Sequence, residues 1–236
     1  MTRHLALTAA ALAVASSLCA QEPGDAPTCD DKNADRAIAG CTAFIDAGSH
    51  TPIELAQAYA NRAYAFATKR DTAQAIADYD RSLELDPDNA IGFHNRGLAH
   101  ALRGEIEDAL RDYAEAIRLR PGYAQAFSSR GTIWERRGDH ERAIRDFDEA
   151  LRLNPEYVRA STNRGLSYFK LGDYARAIAD WTSALRLDPD QPEVMYSRGV
   201  ARRRSGDRTG GDVDIAAATR LRATVADEMA GLGITP

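Results

Sequence analysis

The sequence lacks the usual starting points of catalysis. It has no His-Glu-x-x-His helix, no phosphate-binding glycine loop and no glycine-flanked serine elbow, so a non-enzymatic role is expected. Its five histidines, His4, His50, His94, His100 and His140, form no metal-like spacing, and no metal or cofactor is expected. There is no basic excess: 30 Lys and Arg stand against 35 Asp and Glu, for a net charge of -5. A general nucleic-acid binder would show the opposite imbalance. Outside the first twenty residues no run is apolar enough to cross a bilayer. Aromatics make up only 7% of the chain, while alanine is abundant. Alanine costs least in a helix, so this balance points to helices packed closely on small side chains.

What is present begins with a distinct leader. Arg3 and His4 precede an apolar run from Leu5 to Leu18, and the first acidic residue is Glu22. A basic start, a short apolar stretch and small residues at a junction predict a signal peptide over 1–20, with cleavage after Ala20 or Ser17. Export to the periplasm or beyond the cell is the expectation. Loss of Cys19 with the leader would leave Cys29 and Cys41, an even pair whose expected disulfide would contribute about 2–3 kcal/mol. Two free, buried thiols are the alternative.

The rest is periodic. Asp86-Pro87, Arg120-Pro121, Asn154-Pro155 and Asp188-Pro189 are spaced 34 residues apart. Five units follow, 56–89, 90–123, 124–157, 158–191 and 192–223, each numbered below from position 1. Position 8 reads Ala63, Gly97, Gly131, Gly165, Gly199; position 20 reads Ala75, Ala109, Ala143, Ala177, Gly211; position 27 reads Ser82, Ala116, Ala150, Ala184, Ala218. Small residues at fixed phase mark helix crossings. Position 24, which reads Tyr79, Tyr113, Phe147, Trp181 and Ile215, fills the space they leave. Within a unit the apolar spacing is helical, as at Phe127, Gly131 and Trp134 on one helix and Ala143, Phe147 and Ala150 on the next. Gly138-Asp139 turns the chain between them and Pro155 stops the second helix. Such a hairpin cannot bury its apolar face alone; stacking buries it.

These positions resemble the tetratricopeptide repeat family, with its small residues at 8, 20 and 27, its aromatic at 24 and its proline at 32. The resemblance implies an all-α, right-handed solenoid of helix-turn-helix repeats over 56–223. Residues 21–55 then form an N-terminal segment with a partial capping helix, and 224–236 a C-terminal cap. Two departures stand out. Unit one has Lys69-Arg70-Asp71 where a turn glycine is usual. Unit five carries Gly210-Gly211 inside its second helix and Ala223 in place of proline, which puts that helix in question. For the caps, Ala37, Ile38, Cys41 and Phe44 would line one helix between Asp35 and Asp46, followed by a linker with Gly48 and Pro52. Val225, Met229 and Leu232 would cover the last hairpin, with Gly231 ending the helix.

Arginine holds position 7 and aspartate position 23 in all five units, and pairing between the two rows is the structural expectation. The family's concave side is lined by the first helix of each unit. Asn61, Tyr64, His94, Asn95, Leu98, Ser128, Asn163, Phe169 and Tyr196 fall on that face, where amides could bond an extended peptide. In units three to five the face also carries Arg136, Arg159, Lys170, Arg203 and Arg204 against Glu135 and Glu193, a basic groove suited to an acidic segment or a free carboxylate, with a solubilising surface as the alternative. The lysine and asparagine pattern of members that bind chaperone tails is mostly missing, since position 5 has no lysine and position 9 no asparagine. The resemblance therefore implies a scaffold that binds a protein or peptide in its groove; an envelope assembly factor or chaperone is the alternative. No nucleic-acid partner is expected.

Overall fold

The structure, a computed structural model, describes residues 28–236, so the expected leader lies outside the described residues. Within them the chain forms twelve helices joined by short turns. They are α1 (Ala34–Asp46), α2 (Pro52–Thr68), α3 (Thr72–Leu85), α4 (Ala90–Arg103), α5 (Ile106–Leu119) and α6 (Ala124–Arg136). Then come α7 (His140–Leu153), α8 (Val158–Lys170), α9 (Tyr174–Leu187), α10 (Pro192–Arg204), α11 (Arg208–Leu221) and α12 (Val225–Ala230). From α2 to α11 they pair as five hairpins that stack in order.

Local chemistry sets the boundaries. Asp71, Asp139, Asp173 and Asp207 accept from the backbone N–H three residues on and so cap the second helices of their units. α2 starts at Pro52, inside the expected linker, because Thr51 and Glu54 close a capping box with proline in the first turn. The hairpin turns need a left-handed residue. Gly104, Gly138, Gly172 and Gly206 supply it at φ of 78 to 101°, but in unit one Arg70 occupies the same slot at φ 62°. A side chain there costs about 1–2 kcal/mol, partly offset by the greater freedom of glycine in the unfolded chain. Arg70→Gly is therefore expected to stabilise by about 0.5–1 kcal/mol and raise the thermal midpoint by roughly 1–4 °C. A lower midpoint in differential scanning calorimetry would refute the strain.

The crossings fall where the small residues predict. A Cβ on Gly97 would meet Tyr113 at 2.8 Å, one on Gly131 Phe147 at 2.9 Å, and one on Gly165 Trp181 at 2.7 Å. α11 corrects the doubt over unit five, since it is continuous through Gly210-Gly211. The glycine is there for proximity: a Cβ on Gly211 would lie 2.6 Å from the Gly199 carbonyl and 2.5 Å from the Arg203 side chain, so α10 and α11 approach more closely than a larger residue would allow.

The two charged rows pair within each hairpin. Arg62–Asp78, Arg96–Asp112, Arg130–Asp146, Arg164–Asp180 and Arg198–Asp214 each make two hydrogen bonds of 2.6–2.9 Å through Nε and Nη2. The aspartates are buried. Hydrogen bonding to Asp180 is the leading cause that raises the pKa of Arg164 above its ordinary value. Nη1 reaches back one helix pair, from Arg96 to Asp80 at 2.7 Å and from Arg164 to Asp148 at 2.6 Å. The ladder thus joins repeats as well as closing them.

At the front, α1 packs on α2, and Cys29 and Cys41 form a disulfide with their Cα atoms 4.2 Å apart. Gly40 permits this, since a Cβ there would overlap the Thr28 backbone at 2.4 Å. At the back, Val225 and Met229 are buried as expected, but Leu232 is exposed and Ile234 is buried instead. α12 ends at Gly231 as expected, with right-handed backbone there; Gly233, at φ 72°, then turns the chain and directs Ile234 inward.

Candidate functional site

Successive first helices α4, α6 and α8 line a cleft of about 620 Å³. One wall is apolar, with Leu98, Ala101, Leu102, Tyr113 and Ile133. Leu98 and Leu102 are 38% and 63% exposed, large apolar surfaces facing solvent. The other wall is polar: Ser128, Ser129, Thr132 and Asn163, with Glu135, Arg136 and Arg159 at the rim. Asn163 Nδ2 donates to Thr132 Oγ1 at 3.1 Å, which fixes the amide and leaves its oxygen available. Arg136 and Arg159 are exposed and make no ion pair among the described residues.

The predicted groove residues divide into three groups. Arg136, Arg159, Asn163 and Leu98 share the central cleft. Asn61 and the exposed Tyr64 line a separate, smaller cleft of about 350 Å³ beside Asp30, Asp31 and the disulfide. Lys170 and Arg204, both exposed, donate to carbonyls of the chain's own C-terminal segment.

Several expectations need correction. His94 is not a free groove ligand: it is 7% exposed, with Nε2 3.0 Å from Ser129 Oγ and Nδ1 3.3 Å from the Tyr123 hydroxyl. Burial lowers its pKa below the ordinary imidazole value, as expected of a neutral ring packed between repeats. Asn95 is half-buried beside Tyr79 and His94. Ser128 is buried at the cleft floor. Phe169 and Tyr196 are buried in the core that the C-terminal cap completes. Arg203 leaves the groove for α11, where Nε lies 3.4 Å from Asp212, and Glu193 pairs with Arg222. The groove still has a basic excess, because Arg136, Arg159 and Lys170 line its clefts with only Glu135 from the predicted acidic set.

His100, Glu105 and Asp108 come together at the α4–α5 turn in a spacing that a cation could use. His100 and Arg103 already hold Glu105, and Arg111 holds Asp108. Those bonds give the cluster a structural role, tying the turn of unit two where Glu105 makes no side-chain cap. Ser129 and Thr132 were not named from the sequence, although they hold the same repeat positions as Asn95 and Leu98, which were; Ile133 is 3% exposed and lies off that stripe.

Tetratricopeptide repeat models match residues 56–89 and 94–158, and a TPR repeat model matches 165–206. The chain belongs to the tetratricopeptide repeat family. The crystal structure of MamA protein is similar, with a TM-score of 0.64 and 24% identity over 74% of this chain and 95% of that one. YrrB, described as a TPR protein with an unusual peptide-binding site, gives a TM-score of 0.65 and 20% identity over 79% of this chain and 94% of its own. PilF of Pseudomonas aeruginosa gives 0.64 and 20% over 75% and 86%. These likenesses establish the solenoid. No curated protein matches the sequence.

Proposed function

We propose that this tetratricopeptide repeat protein is an extracytoplasmic scaffold that holds a peptide or protein segment in its concave groove. The observation that carries the reading is the open cleft along α4, α6 and α8, where exposed leucines face a row of hydroxyls and an amide beneath unpaired arginines. That combination offers apolar contact, main-chain hydrogen bonding and a preference for negative charge in one site. The peptide-binding site named for YrrB is consistent with it. Placement outside the cytoplasm is supported by the leader-like first twenty residues and by the Cys29–Cys41 disulfide, a bond suited to an oxidising compartment.

The test is capture by crosslinking in the cell envelope, followed by titration of the captured partner. Arg136→Glu with Arg159→Glu is expected to weaken that partner by about tenfold to a hundredfold, most strongly at low salt, without moving the thermal midpoint. Unchanged affinity would remove the central cleft from the binding account. If the chain instead suppresses aggregation of many unrelated clients with no saturable partner, the assembly-factor alternative replaces the scaffold.

A further inference from the structure

The position-13 residues of units three, four and five are Arg136, Lys170 and Arg204, a row of cations on three successive first helices. Two of the three are engaged, and their partners carry no charge. Lys170 Nζ donates to the Leu232 carbonyl, and Arg204 Nη2 donates to the Thr235 carbonyl at 2.8 Å. Between these two carbonyls Ile234 is 1% exposed, sunk in the cluster that holds Phe169, Tyr196 and Val200. The Arg204 guanidinium also lies 4.9 Å from the Phe169 ring centroid. The segment after α12 therefore lies in the groove as a bound peptide would, with one aliphatic anchor and two main-chain acceptors.

The register is informative. The segment is turned: Gly233 has left-handed backbone, and the N–H groups of Leu232 and Ile234 donate back to the Met229 carbonyl. Leu232 and Thr235 are three residues apart and reach cations on α8 and α10. The occupant is a poor electrostatic match, because the stretch Gly231 to Pro236 has no acidic side chain to offer Lys170 or Arg204. Ion pairs with carboxylates would be stronger than bonds to neutral carbonyls.

We propose that the tail of this chain is a built-in stand-in for the ligand, and that the site it fills takes an acidic segment with a branched aliphatic anchor between carboxylates three residues apart. This deepens the groove reading above and rests on it. Arg136, whose guanidinium belongs to the open cleft, extends the same row towards unit three. A segment that displaces the tail runs from α10 to α6, whereas one that does not is confined to the central cleft. The tail thus lowers apparent affinity by the fraction of time it stays seated.

The test uses a labelled peptide, Gly-Glu-Gly-Ile-Glu-Pro, which is the tail with carboxylates at the places of Leu232 and Thr235. Fluorescence anisotropy is recorded for the full chain and for a chain lacking 231–236. Removing the tail is expected to tighten binding about tenfold or more, and Lys170→Glu with Arg204→Glu in the shortened chain to abolish that gain. If the shortened chain melts early, adding the peptide in trans is expected to restore its midpoint, and the uncharged tail peptide to restore it less. Equal affinity for the full and shortened chains, or no rescue by millimolar peptide, would overturn the proposal. The central cleft is scored separately, since loss of partner binding in Arg136→Glu with Arg159→Glu would stand even if the tail site took no peptide.

Discussion

Replacing Trp181 with alanine is expected to cost about 3–5 kcal/mol, the range for deleting a large buried aromatic. Trp181 is 1% exposed, and its Nε1 donates to the Thr162 carbonyl at 3.1 Å across the hairpin. Its ring occupies the notch that Gly165 leaves and lies 5.9 Å from the Phe169 ring. Alanine would leave a cavity between α8 and α9 and remove that bond across the hairpin. In a solenoid each repeat is held only by its neighbours, so the damage should spread to unit five and the cap, which share this core. Hydrogen exchange should then accelerate in α8 to α12 before α2 to α5. Trp181→Phe should cost far less, because Phe147 fills the equivalent slot against Gly131 in unit three. Urea denaturation gives both values, and a loss below about 1 kcal/mol for the alanine variant would mean that the notch is not the keystone of this hairpin.

How much of this could be read beforehand depended on whether a contact repeats. The notches at positions 8, 20 and 27 and the aromatic at 24 are legible because the same packing problem is solved five times in phase. The arginine and aspartate rows are legible for the same reason, and they pair as their equal numbers imply. Gly210-Gly211 misled, because propensity alone cannot distinguish a glycine that breaks a helix from one that lets two helices touch; the deciding fact is the Gly199 carbonyl across the interface. His94 misled because its burial depends on Tyr123, at the start of α6, and on Ser129 of α6, contacts outside its own helix face.

The C-terminal segment was least legible. Its grip on Lys170 and Arg204 runs through main-chain carbonyls, which any sequence provides and which leave no side-chain signature. The choice of Ile234 over Leu232 as the buried residue follows from the left-handed turn at Gly233 and not from helical spacing, which ends at α12. The row at position 13 was visible as a count of charges. That it is a line read in steps of about one repeat appears only when a chain lies along it.

The ladder gives the second large effect, and its irregularity gives a control. Arg130 is bound to Asp146 at 2.7 and 2.9 Å, but the residue that would meet its outer nitrogen from the preceding repeat is Ala114, where Asp80 and Asp148 serve Arg96 and Arg164. Removing one partner of a fully buried ion pair costs about 3–5 kcal/mol. The arginine side chains here are 23–25% exposed, so solvent screening lowers the figure. Asp180→Ala leaves Arg164 with Asp148 and should cost about 2 kcal/mol, whereas Asp146→Ala leaves Arg130 with no second carboxylate and should cost about 3 kcal/mol. Replacing both members of the third rung by leucine should recover most of the loss, since no charge is then stranded. Ala114→Asp should narrow the difference by supplying the missing link between repeats. Throughout, groove affinity should not change, because these side chains fasten the hairpins and do not line the cleft. Equal costs for Asp146→Ala and Asp180→Ala in chemical denaturation would show that the inter-repeat arm carries no weight; a large loss of binding in Arg130→Leu at an unchanged midpoint would move the ladder from structure to recognition.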